Sequence, residues 1–297
     1  MITLRHHIVS LVAIFLALAV GVVLGGGPLS EVGRADGKAA APDAGLETAV
    51  QAAQQRADFG DAFAGGVAGT VYAGRLVDRS VAVVTLPGAD PDMVASLSEQ
   101  IGVAGGAVAG TYAVGETLVG TGEKSLVDTL GSQLMTQQPE GAVSAEATTY
   151  DRMGELIGLA VASTKPEGQG GDGKAAAILE GLAGADLLSG PKEQARRAPL
   201  VLVVVGDEPA ADGGDTILAG LVAGLDRQAA GVVVAGDLAD GPGQIGRLRT
   251  AGTQAATVDG IDSPAGRVAA VVALARSLTT PGGAFGASGS DGALPLG

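Results

Sequence analysis

PLVLVVV (199–205) sets four valines and two leucines behind a proline, with no polar side chain among them. A run this short and this rich in β-branched residues reads as a strand. Its lack of polar alternation says that both faces are covered. Working outward, SVAVVTL (80–86) and GVVVA (231–235) repeat the pattern, and AVAGTYAV (107–114) and QAATV (254–258) give weaker versions. Helical signals lie between them. Asp90-Pro91 and Ser263-Pro264 each pair a capping side chain with proline at the first helical position. The first opens a helix with Val94, Leu97 and Ile101 inward, the second one with Val268, Val271, Val272, Ala275 and Leu278 inward. Leu126, Leu130 and Leu134 mark another helix, and so do Met153, Leu156, Ile157, Ala160 and Val161. A further helix runs from Lys174 to Leu188, and Ile217, Leu218, Leu221, Val222 and Leu225 form one more apolar face. Strands alternating with helices predict an α/β fold, a mainly parallel sheet flanked by helices. The clusters 78–135 and 198–279 read as halves of one domain, with two domains as the alternative.

Composition removes several chemistries. The 297 residues contain no cysteine, which excludes disulfides, thiolate metal sites and cysteine nucleophiles. The net charge is −14, and Arg5 is the one Lys, Arg, Asp or Glu in the first 30 residues. Such an acidic body repels nucleic acid. Both histidines, His6 and His7, lie at the N-terminus, so no Ser–His–Asp set can be assembled in the body.

Residues 8–29 carry no charge, a run long enough to cross a bilayer as a helix. Ile8, Leu11, Ile14, Phe15, Leu16, Leu18, Val20, Val22, Val23 and Leu24 would form its lipid-facing surface. It reads as an anchor in preference to a cleaved signal, because AVGVVLGGG is a poor cleavage site. Arg5 just before the run places the N-terminus in the cytoplasm and the rest outside the plasma membrane.

Residues 1–29 are thus cytoplasmic edge and span, and 30–45 a Gly/Pro/Ala-rich tether. Residues 46–75 make a helical neck, 76–280 the extracytoplasmic α/β domain and 281–297 a flexible Gly-rich tail. In the neck, Leu46, Val50, Ala53, Ala57, Gly60, Ala64, Val67 and Val71 step by alternating fours and threes, a heptad seam. Two readings stand: a coiled coil that pairs with another chain, or an Ala-rich helix packed on its own domain.

VGTGEKS (119–125) resembles part of a phosphate loop, but Glu123 stands where the motif needs glycine. Asp207 and Glu208 follow the strongest strand, Asp212 and Asp215 come soon after, and Asp237 and Asp240 follow the next strand. Strand C-termini are where open sheets place ligands, so Asp207, Glu208, Asp212 and Asp215 are candidate cation ligands. The alternative is a solvated acidic loop that caps helices.

MITLRHHIVSLVAIFLALAVGVVLG (1–25), GRLVDRSVAVVTLPGAD (74–90), LVLVVVGDEP (200–209) and TVDGIDSPAGRVAAVVALA (257–275) resemble the actinobacterial MctB/SteB family of single-span envelope proteins. The resemblance implies a coiled-coil-prone neck and an exported α/β domain. It also implies one of two roles. The first is copper transport or efflux, with an outer-membrane location and copper as the handled metal. The second is a SteB-like partnership with a SteA-like membrane protein that controls peptidoglycan hydrolysis and cell separation. No cofactor and no catalysis are expected. Partners would be the membrane, a SteA-like protein or a second copy through the neck.

Overall fold

The computed structural model describes residues 44–191, 195–206 and 213–296. The chain divides into two units, 1–56 and 57–297. Within the first, residues 44–56 are the start of helix α1, Ala44–Tyr72. The expected span, 8–29, and nearly all of the tether lie outside the described residues. Among the described residues no helix is long and apolar enough to cross a membrane.

The second unit is built on one sheet. Its strands are β1 (Ser80–Thr85), β2 (Ala107–Val114), β4 (Leu188–Ser189), β6 (Leu200–Val204), β7 (Gly231–Gly236), β8 (Ala256–Asp259) and β9 (Ala284–Gly286). Their order is β4-β2-β1-β6-β7-β8-β9. Every pairing is parallel except β2 with the short β4. Strands from both expected halves therefore share one sheet. Gln169–Gly170 (β3) and Arg196–Arg197 (β5) form a separate small antiparallel ladder.

Successive residues of β6 point to opposite layers, both buried. Val201 and Val203 join one core with Ala82, Val84, Val232 and Val234. Leu200, Leu202 and Val204 join the other with Val81, Val83, Val233 and Val258. Helices α4 (Lys124–Thr136), α5 (Thr149–Val161), α6 (Gly173–Gly184), α7 (Gly214–Gln228) and α8 (Gln244–Thr250) cover the first layer. The end of α1, α2 (Pro91–Val103) and α9 (Pro264–Ser277) cover the second. The remaining helix, α3, is the single turn Glu116–Val119. The two caps read from sequence are present: Asp90 accepts from Asp92 N–H, and Ser263 from Gly266 N–H. On α4 the inward positions are Val127, Gly131 and Leu134; of the leucines that mark this helix in the sequence, Leu134 is buried and Leu126 exposed.

The connections explain which helix lies where. β1→β2 steps in one direction along the sheet through α2, and β6→β7→β8 steps in the other through α7 and α8. Right-handed crossovers then require α2 on one face and α7 and α8 on the opposite face, as observed. β8→β9 steps the same way as β7→β8, yet α9 lies on α2's face. That last crossover therefore has the opposite, uncommon hand. It adds β9 and brings residues 287–296, expected to be a loose tail, back along the second layer, where Leu294 packs on the core.

Candidate functional site

The strand order reverses between β1 and β6, and their C-terminal ends meet at a crevice of about 250 Å³ lined by Gly88, Asp90, Met93, Gly206, Asp237 and Asp240. This is where open parallel sheets carry ligands. Its carboxylates, however, serve the backbone. Asp237 N–H donates to Asp240 Oδ2 and Asp240 N–H to Asp237 Oδ1, each at 3.0 Å. Asp90 caps α2. The floor is closed from below: a Cβ on Gly206 would stand 2.0 Å from Pro87 O, so the β1–α2 turn lies directly on the strand end.

Of the four acids predicted from sequence, Asp207, Glu208 and Asp212 lie outside the described residues. Asp215 sits in the first turn of α7, where its Oδ1 accepts from Arg247 Nε at 2.7 Å. It is thus engaged by a neighbouring helix. Among the described residues no group of three or more His, Asp or Glu is placed to hold a metal ion. Met93 is at the crevice, and Met153, on α5, is buried in the core. The VGTGEKS stretch forms the end of α3, a turn of 3₁₀ helix at Thr121–Glu123 and the start of α4, and it follows no strand directly.

A second site was only half visible in the sequence. Leu46, Val50, Ala53, Ala57 and Gly60 of the seam are exposed. Ala64, Val67 and Val71 are partly buried and form one wall of a cavity of about 340 Å³. Facing them are Ala265 and Val268 of α9, Leu238 after β7 and Leu294 of the C-terminal strap. The seam is therefore divided. Its last three positions line the cavity of their own unit, and its first five are exposed. Four of the nine exposed large apolar residues among those described, Leu46, Val50, Phe59 and Phe63, lie on α1. Phe59 and Phe63 stack one turn apart, with ring centroids 6.5 Å apart.

Sequence reasoning missed what supports the cavity. Asp259, at the end of β8 and fully buried, lines it and accepts from Arg249 Nη2 at 2.8 Å. Ser288 N–H donates to the other carboxylate oxygen at 2.8 Å. Arg249 also donates to Thr257 Oγ1, Ser288 Oγ and Phe285 O, so one guanidinium joins α8, β8, β9 and the strap. The cavity's chemistry is that of an apolar receptacle with an acidic margin, Asp262 and the neutralised Asp259, and it carries no nucleophile–base pair among these residues.

The profile of the family described as "Copper transport outer membrane protein, MctB" matches residues 1–296. The protein named copper transporter MctB in Mycobacterium tuberculosis (strain H37Rv) is 30% identical over 299 residues, covering 92% of this chain and 92% of its own. Its namesake in Mycobacterium bovis is similar to the same extent. The Mycobacterium leprae protein of that name is 29% identical over 302 residues, with the same coverage.

Proposed function

The chain belongs to the MctB copper transport family, and from that premise we propose that it acts without catalysis as a membrane-anchored, extracytoplasmic interaction module. The uncharged run 8–29 holds it in the plasma membrane, N-terminus inside, and α1 presents a docking surface to an envelope partner. The role is SteB-like: the partner is a SteA-like membrane protein, joined in places by a second copy through the neck, and the output is control of peptidoglycan hydrolysis at cell separation. The observation that carries this reading is the set of exposed apolar side chains on α1, Leu46, Val50, Phe59 and Phe63. Exposed apolar groups concentrated on one element mark an interaction surface rather than ordinary surface scatter.

The test is deletion of residues 46–60, which spares Ala68, Tyr72 and Leu76 of the core. The reading expects the deleted chain to fold, reach the membrane and lose its crosslinked envelope partner in intact cells. An unchanged crosslinking pattern sinks it.

A second reading follows from the names of the mycobacterial relatives: a copper efflux component that keeps intracellular copper low. It expects stoichiometric copper on the full chain in lipid nanodiscs and copper sensitivity on deletion. Metal analysis without bound copper, together with wild-type copper tolerance of the deletion strain, rejects it.

A further inference from the structure

Helix α7 puts its large apolar residues, Ile217, Leu218, Leu221, Val222 and Leu225, into the core. Thr216, Ala219, Gly220, Ala223 and Asp226 lie beside them at helical spacing and border a cavity of about 500 Å³. That volume is within the roughly 300–1,000 Å³ of small-molecule sites. It exceeds that of the crevice at the strand ends. The remaining walls are Thr148 and Asp151 at the start of α5, and Leu248 of α8 with the turn 251–254 after it. The cavity lies wholly within the second unit.

Its charges do not balance. Arg227 donates to Asp151 Oδ1 at 3.3 Å and to Glu155 Oε1 at 2.9 Å. The other oxygen of Asp151 accepts from Thr148 Oγ1, and that of Glu155 from Ser144 N–H at 2.7 Å. Both carboxylates are thus engaged through both oxygens. Asp226, the neighbour of Arg227 in the chain, makes no hydrogen bond or ion pair with any of the described residues. It is half-buried; burial raises its pKa above 3.8, and the Arg227 guanidinium offsets only part of the rise. Asp151, Glu155 and Asp226 therefore share one guanidinium. The arginines of the surrounding elements are committed elsewhere, Arg152 to Asp128, Arg247 to Asp215 and Arg249 to Asp259. The last turn of α7 adds the negative end of its macrodipole. A cation that enters the cavity meets a carboxylate that the fold has already partly stripped of water and left without a partner.

The donor set selects the kind of cation. Calcium or magnesium takes about six or more oxygens, and among the described residues no three acids are grouped to hold a metal ion. A primary ammonium needs one carboxylate and a few further acceptors, and it is a compact charge on a slender, flexible stem. Ala219, Ala223 and Leu248 give such a stem an apolar bed beside Asp226. We propose that this cavity binds an alkylammonium group, its head on Asp226 and its stem along Ala219, Ala223 and Leu248. The head can be that of a free amine or of a lysine side chain, two sources that the experiment separates.

The experiment titrates the full chain, in neutral phosphatidylcholine nanodiscs, with pentylamine, pentanol and pentanoate, and reads binding by ligand-observed NMR against empty nanodiscs. The acetylated, methylamidated lysine monomer stands for a lysine side chain. Pentylamine is expected to bind about tenfold or more tighter than pentanol, the worth of a hydrogen bond to a charged group, and pentanoate not to compete with it. Asp226→Asn is expected to weaken pentylamine about tenfold or more and to leave pentanol unchanged. Ala223→Leu, which takes the space of the stem and keeps the carboxylate, is expected to weaken both about tenfold. Thermal unfolding of each variant confirms that it is folded. Equal binding of pentylamine and pentanol overturns the proposal, and so does pentylamine binding indifferent to Asp226→Asn or to Ala223→Leu. Calcium that displaces pentylamine from the parent and no longer binds Asp226→Asn overturns it in favour of a metal site. With the proposal upheld, binding of pentylamine alone assigns the cavity to free amines, and binding of the lysine monomer as well assigns it to lysine side chains.

Discussion

Arg249 Nη2 lies 2.8 Å from Asp259 Oδ1, and this pair holds the C-terminal edge of the second unit together. Asp259 is fully buried, and the guanidinium's remaining donors reach Thr257, Phe285 and Ser288. The pair thus fastens β9, a three-residue strand reached by the uncommon crossover, to the rest of the sheet. Removing one partner of a buried ion pair leaves an uncompensated charge, a cost of about 3–5 kcal/mol. Arg249→Met is expected to lower the calorimetric Tm by roughly 10 °C, at about 2–4 °C per kcal/mol for a unit of this size. The double variant Arg249→Met/Asp259→Leu is expected to recover most of that loss, because no buried charge remains. A double variant as unstable as the single would show that the hydrogen bonds to Ser288 and Phe285, not the charge, hold the strap.

Tyr112 on β2 is fully buried, and its hydroxyl has no hydrogen-bond partner. Burial pushes its pKa up from 10.0 to about 12. The folded state therefore keeps a proton that the unfolded chain releases. Stability is fully present below pH 10 and falls as pH rises through the folded value. Two pH units correspond to about 2–3 kcal/mol. Tyr112→Phe is expected to match or exceed the parent's stability at pH 7, since it removes an unsatisfied hydroxyl. It is also expected to lose the decline between pH 10 and 12, read by denaturant midpoints. A variant with the same alkaline decline as the parent would place the titration elsewhere.

The strands that make the sheet were legible because burial on both faces leaves an unmistakable apolar run, and β6, β1 and β7 all carry one. AFG at 284–286 and QIGRLRT at 244–250 were not, because a three-residue strand and a seven-residue helix hold too few periods to register. Arg249 and Asp259 stand ten residues apart with no motif between them, so only folding brings them together. The seam of α1 was visible as a period. A period, however, says which residues share a face and not what covers it. Ala64, Val67 and Val71 line a cavity of their own unit, as the reading of a helix packed on its own domain has it. Asp237 and Asp240 were visible in the sequence only as acids after a strand; in the structure they hold one another's backbone, a use that spacing alone does not distinguish from ligation.

Glycine acts in opposite ways at two places, and alanine substitution should separate them. α5 and α7 touch through Gly154 and Gly224. A Cβ on Gly224 would stand 2.2 Å from Asp151 O and 2.5 Å from Glu155 N. Those are backbone atoms and cannot step aside, so Gly224→Ala is expected to cost about 1–3 kcal/mol or more through overpacking. Gly60 on α1 has nothing within 4 Å of its Cβ position. Gly60→Ala is expected to stabilise that turn by up to about 1 kcal/mol from helix propensity. Hydrogen exchange of residues 57–64 measures the second effect and global urea unfolding the first. Equal, small effects at both sites would mean that α5 and α7 have room to separate.

Asp226 offers a pH test of the opposite end of α7. It lies in the last turn of that helix, half-buried beside Ala223, Arg227 and Gln254, and a carboxylate at a helix C-terminus opposes the macrodipole. Burial raises its pKa above 3.8, and the neighbouring Arg227 guanidinium offsets only part of the rise. Arg227 is itself engaged with Asp151 and Glu155, at 3.3 and 2.9 Å. The folded chain thus binds a proton at Asp226 more readily than the unfolded chain. This group's contribution is greatest below its unfolded pKa and is lost as pH rises through the folded one. Asp226→Asn, uncharged at every pH, is expected to be more stable than the parent at pH 7. Its advantage should shrink as the pH falls through the raised folded value and be gone below 3.8, where the parent's carboxyl is protonated in both states. Urea midpoints of both chains across that range measure the difference directly, and other titrating carboxylates cancel in the comparison. An advantage that is constant with pH would assign the gain to a new amide hydrogen bond. An advantage that grows on acidification would mean that Arg227 outweighs burial and that the carboxylate is stabilising where it stands.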